Sequence, residues 1–156
     1  MESSTPRKRV FAMASQGGHW VQLMRIVPAF GDRYELMFCS TKADYASVVG
    51  SDRFVVTKHY TRRTAWRMLP VFVSAYKTIR RFRPDVILTT GAAPAIAVIL
   101  AGKLLGVKSI WIDSVANAEH LSLSGRIARR IATRVYSQWP NIAKNSGVRY
   151  AGNIFG

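Results

Sequence analysis

The chain has 156 residues, enough for one domain with a buried core, and 49% of them are apolar. That apolar share is typical of a globular protein and excludes a disordered tail. Charge is the unusual property, because 23 Lys and Arg stand against 8 Asp and Glu, for a formal net charge of +15. A surplus of this size predicts an anionic partner: a nucleic acid, an acidic membrane or a phosphorylated substrate.

The sequence is expected to form one domain over residues 1–156, with residues 1–8 flexible. Cys39 is the only cysteine, so an internal disulfide is excluded and a reducing compartment is compatible with the chain. We expect no secretory signal peptide, since the basic start of the chain is not followed by a long apolar stretch. Residues 86–102 carry no charge, but a glycine and a proline interrupt them, which favours a strand, a turn and a buried helix over a membrane span.

Short apolar runs alternate with helical patterns along the chain. The predicted strands are residues 9–14, 34–40, 53–57, 86–90, 108–112, 135–138 and 148–151. The predicted helices are residues 19–30, 42–49, 64–82, 93–105 and 123–133. Thr41 is expected to cap the second helix, Pro70 to kink or break the third, and Gly106 to end the fourth.

Strands that alternate with helices of this length predict right-handed β-α-β units and a parallel sheet with helices on both faces. The strand sequences VFAMA, VILTT and SIWID are continuous apolar runs, as a sheet covered on both faces requires. The predicted fold class is therefore α/β, with a Rossmann-like sheet. In such a sheet ligands bind beyond the carboxyl ends of the strands, so the loops that follow strands are the candidate sites.

The loop after the first predicted strand has the sequence SQGGH and consists of Ser15, Gln16, Gly17, Gly18 and His19. Two glycines let a ligand approach the backbone closely, and the following helix N-terminus offers free N–H groups with a partial positive charge. These properties suit a diphosphate. The spacing fits neither a dinucleotide fingerprint nor a P-loop, and a tight turn with an exposed histidine is the plain alternative.

Two further strand ends carry candidates. Gly91 and Ala92 follow the fourth strand, where packing of a helix on the sheet is the plain alternative. Asp113 and Ser114 follow the fifth, where a carboxylate suits acid/base work or a sugar hydroxyl, unless it caps a helix or forms a turn. His19 is the other candidate base near neutral pH. We expect these loops to converge on one cleft and predict no metal site, because no Cys/His cluster has the spacing of one.

A basic and aromatic segment spans residues 58–83, with eight Lys or Arg and no Asp or Glu. Cations mixed with apolar side chains are typical of a segment that lies on an anionic lipid surface, although a solvated helix packed on the sheet is the plain alternative. The mixture also suits single-stranded nucleic acid, but no nucleic-acid module is recognisable. His59 and His120 are expected to be ordinary surface or loop residues and not ligands. The predicted membrane-surface residues are Arg62, Arg63, Trp66, Arg67, Lys77, Arg80 and Arg81.

Five motifs follow one another along nearly the whole chain: SQGGH, TGAAPAIAVILAGKLLG, WIDS, LSLSGR and QWP. The set resembles the Alg14-type subunits of split glycosyltransferases, including the PssD-like proteins of bacteria. The resemblance implies the N-terminal, acceptor-binding half of a GT-B glycosyltransferase, similar to that of the MurG-type enzymes. A separate chain, Alg13-like or PssE-like, would supply the nucleotide-sugar half.

The resemblance further implies transfer of a sugar from a UDP-sugar, held mainly by the partner, to a polyprenyl-diphosphate-linked sugar in exopolysaccharide or capsule synthesis. Glucuronic acid is the first choice of sugar, and galactose and N-acetylglucosamine stay open. By this resemblance, the SQGGH loop would meet the acceptor diphosphate and hydroxyl. Asp113 stands where the family usually has Glu, and its side chain is shorter by one methylene. Either His19 or Asp113 would act as the base.

We expect peripheral attachment to an anionic membrane at the cytoplasmic face of the inner (plasma) membrane, no cofactor and no nucleic-acid partner. The competing function is a non-catalytic basic module that recruits a partner to the membrane or binds single-stranded nucleic acid.

Overall fold

The computed structural model describes residues 6–50 and 53–156. Within these residues the strands are Lys8–Met13 (β1), Tyr34–Ser40 (β2), Phe54–Val56 (β3), Val86–Thr89 (β4), Lys108–Ile112 (β5), Arg134–Ser137 (β6) and Arg149–Tyr150 (β7). The α-helices are Gly18–Ile26 (α1), Ala46–Val49 (α2), Met68–Phe82 (α3), Ala93–Leu104 (α4), Leu123–Ile131 (α5) and Pro140–Ser146 (α6). Three short 3₁₀ segments of the described chain are Val27–Arg33, Ala43–Tyr45 and Arg62–Arg67.

The strands form one sheet in the order β3-β2-β1-β4-β5-β6-β7, and neighbouring strands are parallel. The chain builds outward from β1 to β3 and then crosses back to the other side of β1. The direction of winding therefore reverses between β1 and β4, and a ligand cleft is expected outside the carboxyl ends of the strands at such a reversal. The predicted Rossmann-like α/β fold is confirmed.

Alternate residues of the strands fill two cores, one on each face of the sheet. In β1, Phe11 and Met13 belong to the core beneath α3, α4 and α5, whereas Val10 and Ala12 belong to the core beneath α1. Burial on both faces explains why the strand sequences are continuous apolar runs. Among the described residues, no helix has the length and apolar character that crossing a membrane requires.

Local details differ from the prediction at two helix starts. The segment predicted as a helix at 42–49 is a 3₁₀ turn followed by the short α2, and Thr41 does not cap it. The Thr41 hydroxyl instead accepts a hydrogen bond from the N–H of Gln16 at 3.1 Å. The predicted break at Pro70 lies earlier, because residues 62–67 are 3₁₀ and Pro70 falls in the first turn of α3, where its missing N–H costs little.

The remaining differences are small. Gly106 follows α4 with φ of +72°, in agreement with its predicted position at the end of that helix. Helix α6, which begins at Pro140, has only seven residues and was missed from the sequence. Of the start predicted to be flexible, residues 1–5 lie outside the described residues, and Lys8 already belongs to β1.

Candidate functional site

The three predicted loops meet at the carboxyl edge of the sheet, where β1, β4 and β5 are neighbours. A cleft of about 410 Å³ lies there, and its walls include His19 from the first loop, Ala92 from the second and Ser114 from the third. The N-termini of α1, α4 and α5 also reach this cleft, through His19, Ala93 and Leu123. Helix N-termini carry partial positive charge, so the cleft is suited to an anion.

The base of the SQGGH loop is held by side chains from the segment after β2. The N–H of Gln16 donates to Thr41, and the N–H of Gly17 donates to the Tyr45 hydroxyl at 3.1 Å. Gly17 has φ of +80° and ψ of −136°, a conformation that residues with a Cβ rarely adopt. Ser15 is buried, with 4% exposure. Because the N–H groups of Gln16 and Gly17 are already bonded to protein, these residues shape the loop, and their N–H groups are not free for the predicted diphosphate.

The tip of the same loop keeps donors for a ligand. The first helical hydrogen bond of α1 runs from the N–H of Val21 to the carbonyl of Gly17 at 3.1 Å. The three N–H groups that precede it have no earlier carbonyl of the helix to bond. These groups belong to Gly18, His19 and Trp20.

The His19 side chain is fixed against the second loop. Its Nδ1 lies 2.9 Å from the carbonyl oxygen of Thr90, and the Thr90 hydroxyl donates to the carbonyl of His19 at 2.6 Å. A carbonyl oxygen only accepts hydrogen bonds, so Nδ1 carries the proton and the neutral ring keeps a lone pair on Nε2. The hydrogen bond thus sets the tautomer that a general base needs.

The second loop has a backbone conformation that favours glycine at two consecutive residues. Gly91 has φ of +113°, and a Cβ added there would come within 3.3 Å of the His19 ring. Ala92 has φ of +83° and ψ of 161°, a region that is almost confined to glycine and costs another residue about 1–3 kcal/mol. Backbone strain of this kind clusters at functional sites, so it supports the cleft as the candidate site.

Asp113 follows β5 and is 2% exposed. One carboxylate oxygen accepts from the Ser122 hydroxyl at 2.6 Å and from Trp111 Nε1 at 3.1 Å. The other accepts from the Ser122 N–H at 2.8 Å and from Asn117 Nδ2 at 3.2 Å. Because both oxygens are occupied by protein donors, the geometry favours a positioning role for Asp113 over the acid/base role suggested by the sequence.

A buried amide network, which the sequence analysis missed, holds the loop after β5 to the rest of the domain. Gln22 and Gln138 are 3% and 2% exposed. Gln22 Oε1 accepts from Gln138 Nε2 at 2.6 Å and from the N–H of Val115 at 3.1 Å, while its Nε2 donates to the Ser114 hydroxyl at 3.0 Å. Gln138 Oε1 also accepts from the N–H of Ile154 at 3.0 Å. Gln138 is the first residue of the QWP motif, and that motif was the feature of the sequence that could have identified it.

Another wall of the cleft comes from the segment after β3. His59, Thr61 and Arg62 line the cleft, and His59 is an exposed loop residue, as expected. Burial raises the pKa of the neighbouring Tyr60 to about 12. The Tyr60 phenol therefore stays neutral at physiological pH, and Arg62 supplies the fixed positive charge of this wall.

The predicted membrane-surface residues are all exposed, but they form two groups. Arg62, Arg63, Trp66 and Arg67 precede α3 at the end near the cleft, whereas Lys77, Arg80 and Arg81 lie in its C-terminal half. Apolar side chains accompany the first group: Trp66, Leu69 and Val73 are 72%, 66% and 41% exposed. The opposite face of α3 packs on the core through Val71, Ala75 and Ile79.

Within the part of the chain that the structure describes, no group of three or more His, Cys, Asp or Glu side chains is placed to hold a metal ion.

Known proteins resemble this chain at two levels. The family described as "Oligosaccharide biosynthesis protein Alg14 like" matches residues 53–154. The human UDP-N-acetylglucosamine transferase subunit ALG14 is 24% identical over an alignment of 169 positions, and the match covers 87% of this chain and 78% of the human protein.

Two solved structures share the fold. Acinetobacter baumannii MurG matches with a TM-score of 0.72 and 16% identity, over 94% of this chain and 44% of MurG. The UDP-N-acetylglucosamine 2-epimerase of Rickettsia bellii matches with a TM-score of 0.73 and 12% identity, over 96% of this chain and 46% of the epimerase. The chain therefore spans less than half the length of these structures, and the likeness shows the fold alone.

Proposed function

The chain belongs to the Alg14-like family of oligosaccharide biosynthesis proteins, and from that premise we propose that it binds the lipid-linked acceptor for a two-chain glycosyltransferase. Membership confirms the predicted resemblance and the predicted class, a glycosyltransferase subunit. The human relative is named as a subunit of a UDP-N-acetylglucosamine transferase. We infer the same division of tasks here, with the UDP-sugar bound mainly by a partner chain.

The observation that carries this proposal is the position of His19 among three helix N-termini. In an inverting transfer the acceptor hydroxyl attacks the anomeric carbon of the donor, a new C–O bond forms, and the bond to UDP breaks. The hydroxyl proton needs a base, and His19 Nε2 has a free lone pair because Nδ1–H is bound to Thr90. The diphosphate of the acceptor needs donors, which the N–H groups at the start of α1 supply.

The residues of the cleft have different tasks in this proposal. His19 is the catalytic base, and the backbone N–H groups of Gly18 and His19 bind the diphosphate. Ala92 and Ser114 line the cleft and contact the acceptor, with Arg62 adding a cation. Asp113 is a positioning residue, since it orders the loop that carries Ser114.

The surface near the cleft supports contact with a membrane. Trp66 and Leu69 are exposed beside Arg62, Arg63 and Arg67, a combination that suits the interface between lipid headgroups and acyl chains. We propose peripheral attachment at the cytoplasmic face, so that a polyprenyl-linked acceptor enters the cleft from the bilayer. Because the human relative is named for UDP-N-acetylglucosamine, that sugar is the first donor to test, ahead of glucuronic acid.

Activity should be measured on the chain co-purified with its donor-binding partner, using UDP-sugars and a polyprenyl-diphosphate-linked sugar. The wild-type pair is expected to transfer sugar, and His19→Ala is expected to lower kcat by about 10²–10⁴, the usual contribution of a general base. His120→Ala is the matched control, since that side chain is 73% exposed and lies outside the cleft. Equal turnover of His19→Ala and wild type would remove His19 from the mechanism, and no transfer by the wild-type pair would contradict the function.

Membrane contact has its own test, the flotation of the protein with anionic vesicles. A double variant, Trp66→Ser with Leu69→Ser, is expected to lose most of the floated fraction, because it removes the apolar contact and keeps every charge. Val48→Ser is the control, since Val48 is 66% exposed in α2 and lines neither the cleft nor the cavity at the amino edge of the sheet. Equal flotation of the double variant and the control would exclude this surface as the membrane contact.

A further inference from the structure

A second cavity, of about 830 Å³, lies at the amino edge of the sheet, where Tyr34, Val86 and Lys108 begin β2, β4 and β5. The length of the strands separates it from the cleft at the carboxyl edge by about 15–20 Å, at 3.3 Å per residue. The family resemblance and the proposed transfer assign nothing to this edge.

Four exposed cations surround this cavity: Lys8, Arg80, Arg83 and Lys108. The acid that lines it, Asp85, accepts the N–H of Arg9 at 2.7 Å, so its charge is already partly used by the backbone. Among the described residues, none of the four cations has a carboxylate within salt-bridge distance. The cavity therefore has an excess of positive charge that the protein itself does not balance.

Helix dipoles are the first competing explanation, because α3 and α4 both end beside the cavity. Each helix C-terminus is equivalent to about −0.5 of a charge, and cations near it stabilise the helix. Two such ends and Asp85 supply about −2, against +4 from the lysines and arginines. An excess of about +2 is left, which matches a phosphate monoester or a diphosphate diester.

The backbone of Arg83 is a second, independent observation. It has φ of +52° and ψ of +59°, at the position directly after α3 where a left-handed residue is usually glycine. The left-handed conformation costs a residue with a Cβ about 1–2 kcal/mol. An arginine at this position indicates that its side chain contributes something that a glycine would not. Its guanidinium offers the planar fork of donors that fits phosphate oxygens.

We propose that this cavity binds a phosphate or diphosphate ester at a site separate from the transfer cleft. Lys8, Arg80, Arg83 and Lys108 neutralise the phosphate, and the apolar side chains between them accommodate the rest of the ligand. Those apolar residues include Ile79, Val86 and Val107. A soluble phosphate ester and a lipid headgroup share this chemistry, and the experiment separates the two sources. The proposal does not depend on the activity of the transfer cleft.

Binding should be measured with inorganic pyrophosphate by calorimetry and, in a second arm, with phosphatidylcholine vesicles that contain phosphatidylglycerol. The test variant is the double change Arg83→Gly and Lys108→Gln, expected to weaken binding at least tenfold. Arg83→Gly relieves the backbone strain, so the variant should stay folded with a thermal midpoint close to that of wild type. The matched control is Lys58→Gln with Lys144→Gln, which removes two exposed charges outside the cavity.

Each result decides the proposal. A selective loss of pyrophosphate binding supports a soluble ligand, and a selective loss of vesicle binding alone supports a lipid headgroup. Equal loss in the test variant and the control would assign the binding to the overall charge of +15 and overturn the proposed site. Unchanged binding of both probes to the test variant, or no binding to the wild-type chain, would overturn it as well.

Discussion

The loops after β1 and β5 lie at the same edge of the sheet but use their polar groups in different ways. In the first, N–H groups at the start of α1 remain available, and His19 is held so that one ring nitrogen is free. In the second, the carboxylate of Asp113 accepts hydrogen bonds from Ser122, and the amides of Gln22 and Gln138 bond to each other and to the backbone. The first loop keeps polar groups free for the acceptor that we propose, whereas the polar groups of the second hold the wall of the cleft in place.

The largest expected effect is at the centre of the scaffold. Asp113→Ala should lower the free energy of unfolding by about 3–5 kcal/mol, because it leaves buried donors of Trp111 and Ser122 without acceptors at about 1–3 kcal/mol each. Urea unfolding measures the change. Asp44→Ala is the control, since Asp44 is 82% exposed and pairs with Lys42 at 3.7 Å, and it should cost less than about 1 kcal/mol. A similar loss of unfolding free energy in both variants would contradict the role of the Asp113 loop as a scaffold.

The second test concerns the amide network. Gln138→Leu should cost about 2 kcal/mol, because Gln22 and the N–H of Ile154 lose buried hydrogen bonds. Hydrogen exchange at Ile154 should also become faster. Gln16→Leu changes an exposed side chain of the first loop and should cost about 0.5 kcal/mol or less. If the Gln16 change proved the more costly one, the first loop would be the scaffold.

A third test measures how stability depends on pH, and it probes the apolar core beneath the first loop. Burial raises the pKa of Cys39 from 9.0 to about 12, and the Cys39 carbonyl accepts the N–H of Ala14 at 3.1 Å. The unfolded chain loses the thiol proton first, so stability is complete below pH 9 and falls as the pH rises towards 12. The slope is at most about 1.4 kcal/mol per pH unit for this group.

Urea unfolding below pH 9 and again at about pH 10 measures this slope, and Cys39→Ala should flatten it. Tyr60 adds a similar loss of stability only above its ordinary pKa of 10.0, as the pH rises towards its raised pKa of about 12. A wild-type chain with constant stability between these two pH values would contradict the burial of Cys39.

The smallest effect is expected at the strained residue of the second loop. Ala92→Gly should raise the free energy of unfolding by about 1 kcal/mol, because relief of strain exceeds the extra flexibility of glycine in the unfolded chain. Ala93→Gly, one residue later inside α4, should lower it by about 0.5–1 kcal/mol. Thermal melts of both variants measure the difference. A loss of stability in Ala92→Gly would show that the conformation of Ala92 is not strained.

The fold could be predicted because it depends on patterns that are local in the sequence. Continuous apolar runs identified the strands, and their alternation with helices indicated the parallel sheet. Local capping rules failed at Thr41, because its hydroxyl bonds to Gln16, 25 residues away, and not to the helix that follows it. A local sequence pattern does not show that a residue distant in the sequence takes the hydrogen bond that the cap would use.

The candidate site was predicted in part for the same reason. Strand-end rules placed His19, Ala92 and Ser114 on one cleft, but they did not distinguish a free polar group from one that the protein occupies. Gln22 looks like a surface residue of an amphipathic helix, and its partner Gln138 is 116 residues away. The left-handed backbone of Arg83 has no signal in the sequence, because helices usually place glycine there.

The strand order also has a consequence for the way this chain folds as it is synthesised. Arg9 in β1 contacts Glu35 in β2, 26 residues later, but its other neighbour, Asp85 directly before β4, comes only 76 residues later. Until then the apolar strand VFAMA has one open edge, which exposes unpaired backbone groups to other nascent chains. We therefore expect the interval before β4 emerges to be the most aggregation-prone stage in the biogenesis of the protein.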